Sequence, residues 1–162
     1  MEALEFENLW RKDPGNLRKE ILTIWKQYIT GVEANQIEER LNQLVFVIKN
    51  EYDQVVGIST AYKAYVKQLR NYLYSVRILI IPSFRQPGLA SKLIIETRDF
   101  LESVHQHDLP DKAIGIITLV ENREYARAHN EAIWRASKMV YIGTSGRGYQ
   151  ARVYYFKGAL IA

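Results

Sequence analysis

The chain has 162 residues, 48% of them apolar, which suits a single domain over residues 1–162 with a sizeable core. It has no cysteine, and this excludes structural disulfides, cysteine metal sites and a thiol nucleophile. The net charge of +4 is spread along the chain rather than clustered, so no nucleic-acid partner is expected.

The N-terminus, Met-Glu-Ala-Leu-Glu-Phe-Glu-Asn, is acidic and lacks a signal-peptide core. No run approaches the roughly 18 apolar residues of a membrane helix, so the expectation is a cytoplasmic protein with no membrane partner. Asp13-Pro-Gly-Asn is a turn. Leu17, Ile21, Ile24 and Ile29 recur at helical spacing with Trp25 and Tyr28, and Gly31 closes that helix. A second helix spans 33–43. Strands follow over 44–49, 55–65 and 72–81, the first two as a hairpin, and the Leu79-Ile-Ile run predicts burial on both faces.

A helix over 90–104 turns Leu93, Thr97, Phe100, Leu101 and Val104 inward, with Lys92, Glu96, Arg98, Asp99 and Glu102 outward. It ends at His105-Gln-His-Asp-Leu-Pro. The two histidines beside Asp108 are too few for a metal site, and no metal is expected. Residues 113–120 read as a central strand. Asn122 caps a helix predicted to run to Ala136, and two strands, 139–143 and 151–157, flank a glycine-rich hairpin tip. Strands followed by βαβ-like units imply a mixed sheet covered by helices.

The segment from Ile78 to Ser91 carries the chemistry. An apolar strand ends at Pro82, a polar loop holds Gly88, and a helix begins near Ala90. The first N–H groups of a helix have no partner inside it, so this junction is an anion cradle. Gly88 permits positive φ and close approach, Ala90 is small, and Arg85 adds charge. Neither the phosphate-loop motif nor the dinucleotide fingerprint is present.

Arg85-x-x-Gly88-x-Ala90, with Ile80, Pro82 and Phe84 before it, resembles the Gln/Arg-x-x-Gly-x-Gly/Ala signature of the GCN5-related N-acetyltransferase (GNAT) family. The element order is similar to that family's from about Ile21 onward. The resemblance implies an α/β (α+β) fold, a three-layer α-β-α arrangement whose mixed, mostly antiparallel sheet holds a central βαβ cofactor unit. It implies acetyl-coenzyme A as co-substrate. Ile78, Leu79 and Ile80 would line the acetyl and pantetheine part. Gln86, Pro87, Gly88, Leu89, Ala90 and Ser91 would surround the diphosphate. Asn122 matches a family asparagine that contacts the pantetheine arm; it also reads as a plain helix cap. Two positions depart: Gln86 replaces the usual Gly or basic residue, and Pro87 has no N–H to give.

The implied activity is N-acetylation of a primary amine. With no cysteine, direct attack by the acceptor is favoured over an acyl-enzyme. The family's proton donor is often a Tyr after that asparagine. Counted forward from Asn122 its slot falls on His129; counted back from Ser137-Lys-Met it falls on Trp134, a poor acid that reads as packing. His129 and Tyr125, one helical turn apart, are the candidates, with Tyr141 a third. The missing Tyr keeps open a non-catalytic acyl-coenzyme A sensing domain. The partner is a small-molecule or peptide amine acceptor, and a homodimer is open.

Overall fold

The computed structural model describes residues 3–107 and 113–161. The strands are β1 (Glu5–Asn8), β2 (Leu44–Lys49), β3 (Val55–Val66), β4 (Asn71–Ile80), β5 (Ala113–Val120), β6 (Val140–Thr144) and β7 (Gln150–Tyr155). The helices are α1 (Arg18–Tyr28), α2 (Ala34–Arg40), α3 (Leu89–His107) and α4 (Arg123–Ala128). The sheet is mixed, in the order β1-β2-β3-β4-β5-β7-β6, with β4 and β5 parallel and β5–β7 and β6–β7 antiparallel. The α/β class, the order of elements and the βα unit at the cradle are as the sequence predicts.

The chain divides into two compact units, one of residues 1–61 and 78–93, the other of 62–77 and 94–162. In the first, α1 and α2 bury Ile21, Ile24, Trp25 and Ile37 against Val47, Val55 and Ile58. The apolar spacing of α1 dictates this, because residues three and four apart share one helix face. The helix stops at Tyr28, where Ile29 turns extended, so Gly31 (φ 73°) belongs to the turn beyond rather than closing it. Glu33 and Gln36 form a capping box that starts α2. Leu79 and Ile81 are only partly buried against this core, which corrects the expectation of two-faced burial.

In the second unit Leu73, Ile114 and Val153 form a small core. Of the α3 residues expected inward, Thr97 and Leu101 here and Leu93 in the first unit are buried, while Phe100 and Val104 are half-buried; His105 is buried against the Phe156 ring. Two residues expected outside are half-buried. Arg98 lies over the Tyr154 ring and donates to the Ser137 carbonyl, and Glu102 accepts from the Tyr154 hydroxyl and the Lys157 amide. Asp108, Leu109 and Pro110 of the expected helix end lie outside the described residues.

The largest correction is α4, which ends at Ala128 instead of Ala136. A continuing helix would commit the carbonyls of His129 and Ala132 to amides four residues on. Here the His129 carbonyl takes the Trp134 indole N–H and Arg152, and the Ala132 carbonyl takes the Tyr141 amide. Residues 134–139 instead close a tight hairpin, with Lys138 at φ 61° and Ile133 bridged to Val140. That bridge covers part of the outer edge of β6, and Gln68 donates to the Ile142 carbonyl further along.

Gly115 pairs with Tyr155, and a Cβ there would overlap the Tyr154 carbonyl of β7. At Gly57 the atoms nearest a Cβ would be those of the Ile48 side chain, not backbone. Gly115→Ala should therefore destabilise by about 3 kcal/mol, near the upper end of overpacking costs, and Gly57→Ala by less. Urea denaturation midpoints of the two variants test the ordering.

Candidate functional site

The strand-to-helix junction sits in the first unit. The end of β4 is tied to β3 by the Ile81 amide, which donates to the Val56 carbonyl at 3.0 Å. Residues 82–84 make a 3-10 turn opened by Pro82, whose fixed φ suits a first helical position. The Phe84 and Arg85 amides close back on Ile81 and Pro82. The Arg85 Nε donates to the Ile80 carbonyl at 3.1 Å, so this arginine latches the loop to the end of the strand. Its side of the cradle is set by the latch, and the rest of the guanidinium remains a charge beside the loop.

Gly88 then takes φ 83°, where an L side chain is strained, and a Cβ there would meet nothing within 4 Å. The glycine is thus required by backbone conformation, and open space lies on its Cβ side. The first intrahelical bond of α3 runs from the Lys92 amide to the Gly88 carbonyl. The amides ahead of Lys92 have no helical acceptor by construction. Leu89 sends its own amide to the Gln86 carbonyl at 3.2 Å, and its side chain is buried. Gln86, Pro87 and Gly88 are exposed, and Ala90 and Ser91 half-buried. The positive end of the α3 dipole faces the same loop. A left-handed glycine beside open space and a small residue at Ala90 fit a diphosphate, and Pro87 has no N–H to give.

Ile78 and Leu79 are half-buried and Ile80 buried. A cavity of about 520 Å³ borders the junction through Ile81 and Phe84; Val55 and Val56 also line it, with Lys19 and Glu20 among its polar residues. Glu20 accepts from the Val55 amide at 2.8 Å.

In the second unit the parallel register between β4 and β5 runs from Tyr72–Ala113 to Ser75–Ile117. At the next residue the Val76 carbonyl accepts from the Thr118 hydroxyl at 3.2 Å. Asn122, just past β5, is the helix cap expected of it: its Oδ1 accepts from the Tyr125 amide at 3.0 Å. Tyr125 and His129 come together as predicted, their rings stacked 4.1 Å apart, and the His129 Nδ1 lies 3.1 Å from the Tyr125 carbonyl. Trp134 is buried packing, edge-on to Tyr125. Tyr141 is exposed.

Sequence reasoning missed Arg152. This side chain is only 1% exposed. It lies over the Trp134 ring, donates to the carbonyls of His129 and Ala132, and bonds Gln150. Burial pulls its pKa down from the usual guanidinium value, and Glu131, Tyr125 and Tyr141 oppose that shift. Its only sequence signal is a lone arginine in a strand otherwise apolar or aromatic after Gln150. Among the described residues no three acidic or histidine side chains gather to hold a metal ion. No helix of the described residues is long and apolar enough to cross a membrane.

No family model and no curated protein matches the chain. Solved structures do. An acetyltransferase of the GNAT family from Streptococcus pneumoniae superposes with TM-score 0.63 at 15% identity, over 95% of this chain and 99% of that one. The ribosomal-protein-S5-alanine acetyltransferase from Vibrio fischeri gives 0.66 at 9%, over 99% and 97%. Arabidopsis thaliana NAA60, solved in complex with acetyl-CoA, gives 0.60 at 14%, over 96% and 100%. With a cradle of this geometry and neighbours that match nearly end to end, the chain has the GCN5-related N-acetyltransferase fold.

Proposed function

We propose that the protein is an acetyl-coenzyme A-dependent N-acetyltransferase that transfers the acetyl group directly to a primary amine. The observation that carries this reading is the junction at Gly88, where a left-handed glycine with open space on its Cβ side delivers the chain straight into α3. The acetyl-CoA complex of a neighbour with the same fold supports it.

When bound, the cofactor supplies an activated thioester carbonyl. The residues from Gln86 to Ser91 would surround the diphosphate, and Arg85 would add positive charge beside it. The backbone of Ile78–Ile80 would line the acyl arm, and an amide around Ile80 would polarise its carbonyl. His129 takes the proton of the acceptor ammonium, so that the neutral amine attacks the carbonyl carbon. A C–N bond would form and the C–S bond break, the attacking nitrogen would give up its second surplus proton to solvent, and the thiolate would leave with a proton returned by His129 or by Tyr125. Amide and free thiol are the products. Asn122 starts the helix that presents Tyr125 and His129, and a contact to the pantetheine arm is its second role.

A second reading, a non-catalytic acyl-coenzyme A sensor, draws on the six-residue α4 and the buried indole at one of the two slots for the family's acid. Thiol release with a panel of polyamines, amino acids and peptide N-termini separates the two. Coenzyme A binding with no amine acetylated selects the sensor.

Gly88→Glu puts negative charge into the cradle and should weaken acetyl-coenzyme A binding at least tenfold by calorimetry. Gly88→Asn, which tolerates positive φ, serves as the backbone control. Equal affinity of the Glu variant and the parent would remove this loop from the site. His129→Ala should lower kcat by about a hundredfold, the low end for loss of a general base, with KM for acetyl-coenzyme A unchanged. Steady-state thiol release reads both constants.

A further inference from the structure

The His129 carbonyl receives two donors from outside its helix. The Trp134 indole N–H reaches it at 2.7 Å and an Arg152 terminal nitrogen at 3.3 Å. A carbonyl has two lone pairs, so two donors account for both. Arg152 also reaches the Ala132 carbonyl at a long 3.5 Å and bonds Gln150 through Nε and a terminal nitrogen. The planar guanidinium serves these acceptors at once, as a single ammonium point charge does not. Stacking on Trp134 at 4.2 Å fixes the plane of the fork.

The imidazole is held as tightly as its backbone. It stacks on Tyr125 with 22° between the rings, and Trp134 meets the same Tyr125 ring edge-on at 86°. Tyr125 is thus shared by the imidazole and the indole. The Nδ1 faces the Tyr125 carbonyl, an acceptor only. With Nδ1 donating to this carbonyl, which also takes the His129 amide, a neutral imidazole carries its proton on Nδ1 and its lone pair on Nε2. His129 itself is exposed, so that lone pair belongs to an accessible group on a rigid mount.

We infer that Arg152 and Trp134 are positioning residues: through the His129 carbonyl and the Tyr125 ring they lock His129 in the Nδ1–H tautomer and present Nε2 as the proton acceptor. The catalytic part of this rests on the acetyltransferase reading, and the tautomer lock does not. Neither residue touches the reacting atoms. In the covalent step, Nε2 gains the ammonium proton while Nδ1–H stays on the Tyr125 carbonyl, so the imidazolium is stabilised by a bond already made.

The test uses the full chain with 15N-labelled histidine. There are three histidines, and His129→Gln identifies the signal. Long-range 1H–15N spectra at pH 8 should show His129 with a protonated Nδ1 and a bare Nε2. Trp134→Phe keeps the aromatic packing and removes one donor; Arg152→Lys keeps the charge and removes the fork. Each should convert the His129 signal to a mixture of tautomers. Each should also lower kcat at least fivefold and blur the acidic limb of the kcat pH profile, with KM for acetyl-coenzyme A unchanged. Circular dichroism checks folding, and Trp134→Phe carries the test should Arg152→Lys not fold. A parent His129 with its proton on Nε2, or a tautomer that neither variant disturbs, overturns the lock. A locked tautomer in a chain whose turnover survives His129→Ala keeps the lock and removes His129 from the chemistry.

Discussion

A helix cannot satisfy its own first amides, and this constraint organises the first unit. At the start of α3 the chain leaves β4, makes one 3-10 turn and enters the helix through a residue at positive φ. Only glycine does this without strain, and only a short polar loop leaves the resulting amides uncovered. The neighbouring contacts hold that geometry. Ile81 is pinned to β3, Arg85 is latched to Ile80, and Leu89 is buried beneath the first turn. Pro87 has no N–H to offer and narrows the conformations open to the same loop.

A buried cation organises the second unit in a comparable way. Arg152 has left water, and a guanidinium cannot shed its charge, so it must find acceptors. It finds them in backbone carbonyls that become available only because α4 stops. The short helix, the hairpin over 134–139 and the buried arginine are therefore one arrangement. This departure from a longer helix also mounts His129, since the residue at the end of α4 is the one whose carbonyl is gripped.

The exposed aromatic ring pair Tyr65–Tyr72 and the covered edge of β6 show how the rest of this unit meets solvent. The alternation of β-strand side chains leaves some tyrosines outside. The bridge at Ile133 and the Gln68 bond to Ile142 occupy polar groups that an open edge strand would offer to another chain.

Local rules made much of this legible from the residues alone. Strand β2 and strand β5 fall at their expected bounds, because compact apolar runs between turn residues have few other solutions. The cradle was legible because Pro82, Gly88 and Ala90 each constrain their own backbone. Asn122 was legible as a cap for the same reason. The end of α4 was not, since Glu131 to Lys138 consists largely of adequate helix formers and nothing nearby in sequence opposes a helix. Arg152 opposes it from strand β7, some twenty residues away. The sequence by itself determined where the chain turns and which amides a helix start leaves over, because those depend on φ and on the residue in place. Only the tertiary structure decided which carbonyls a distant buried charge would claim, because that choice exists only once the strand carrying the charge is packed.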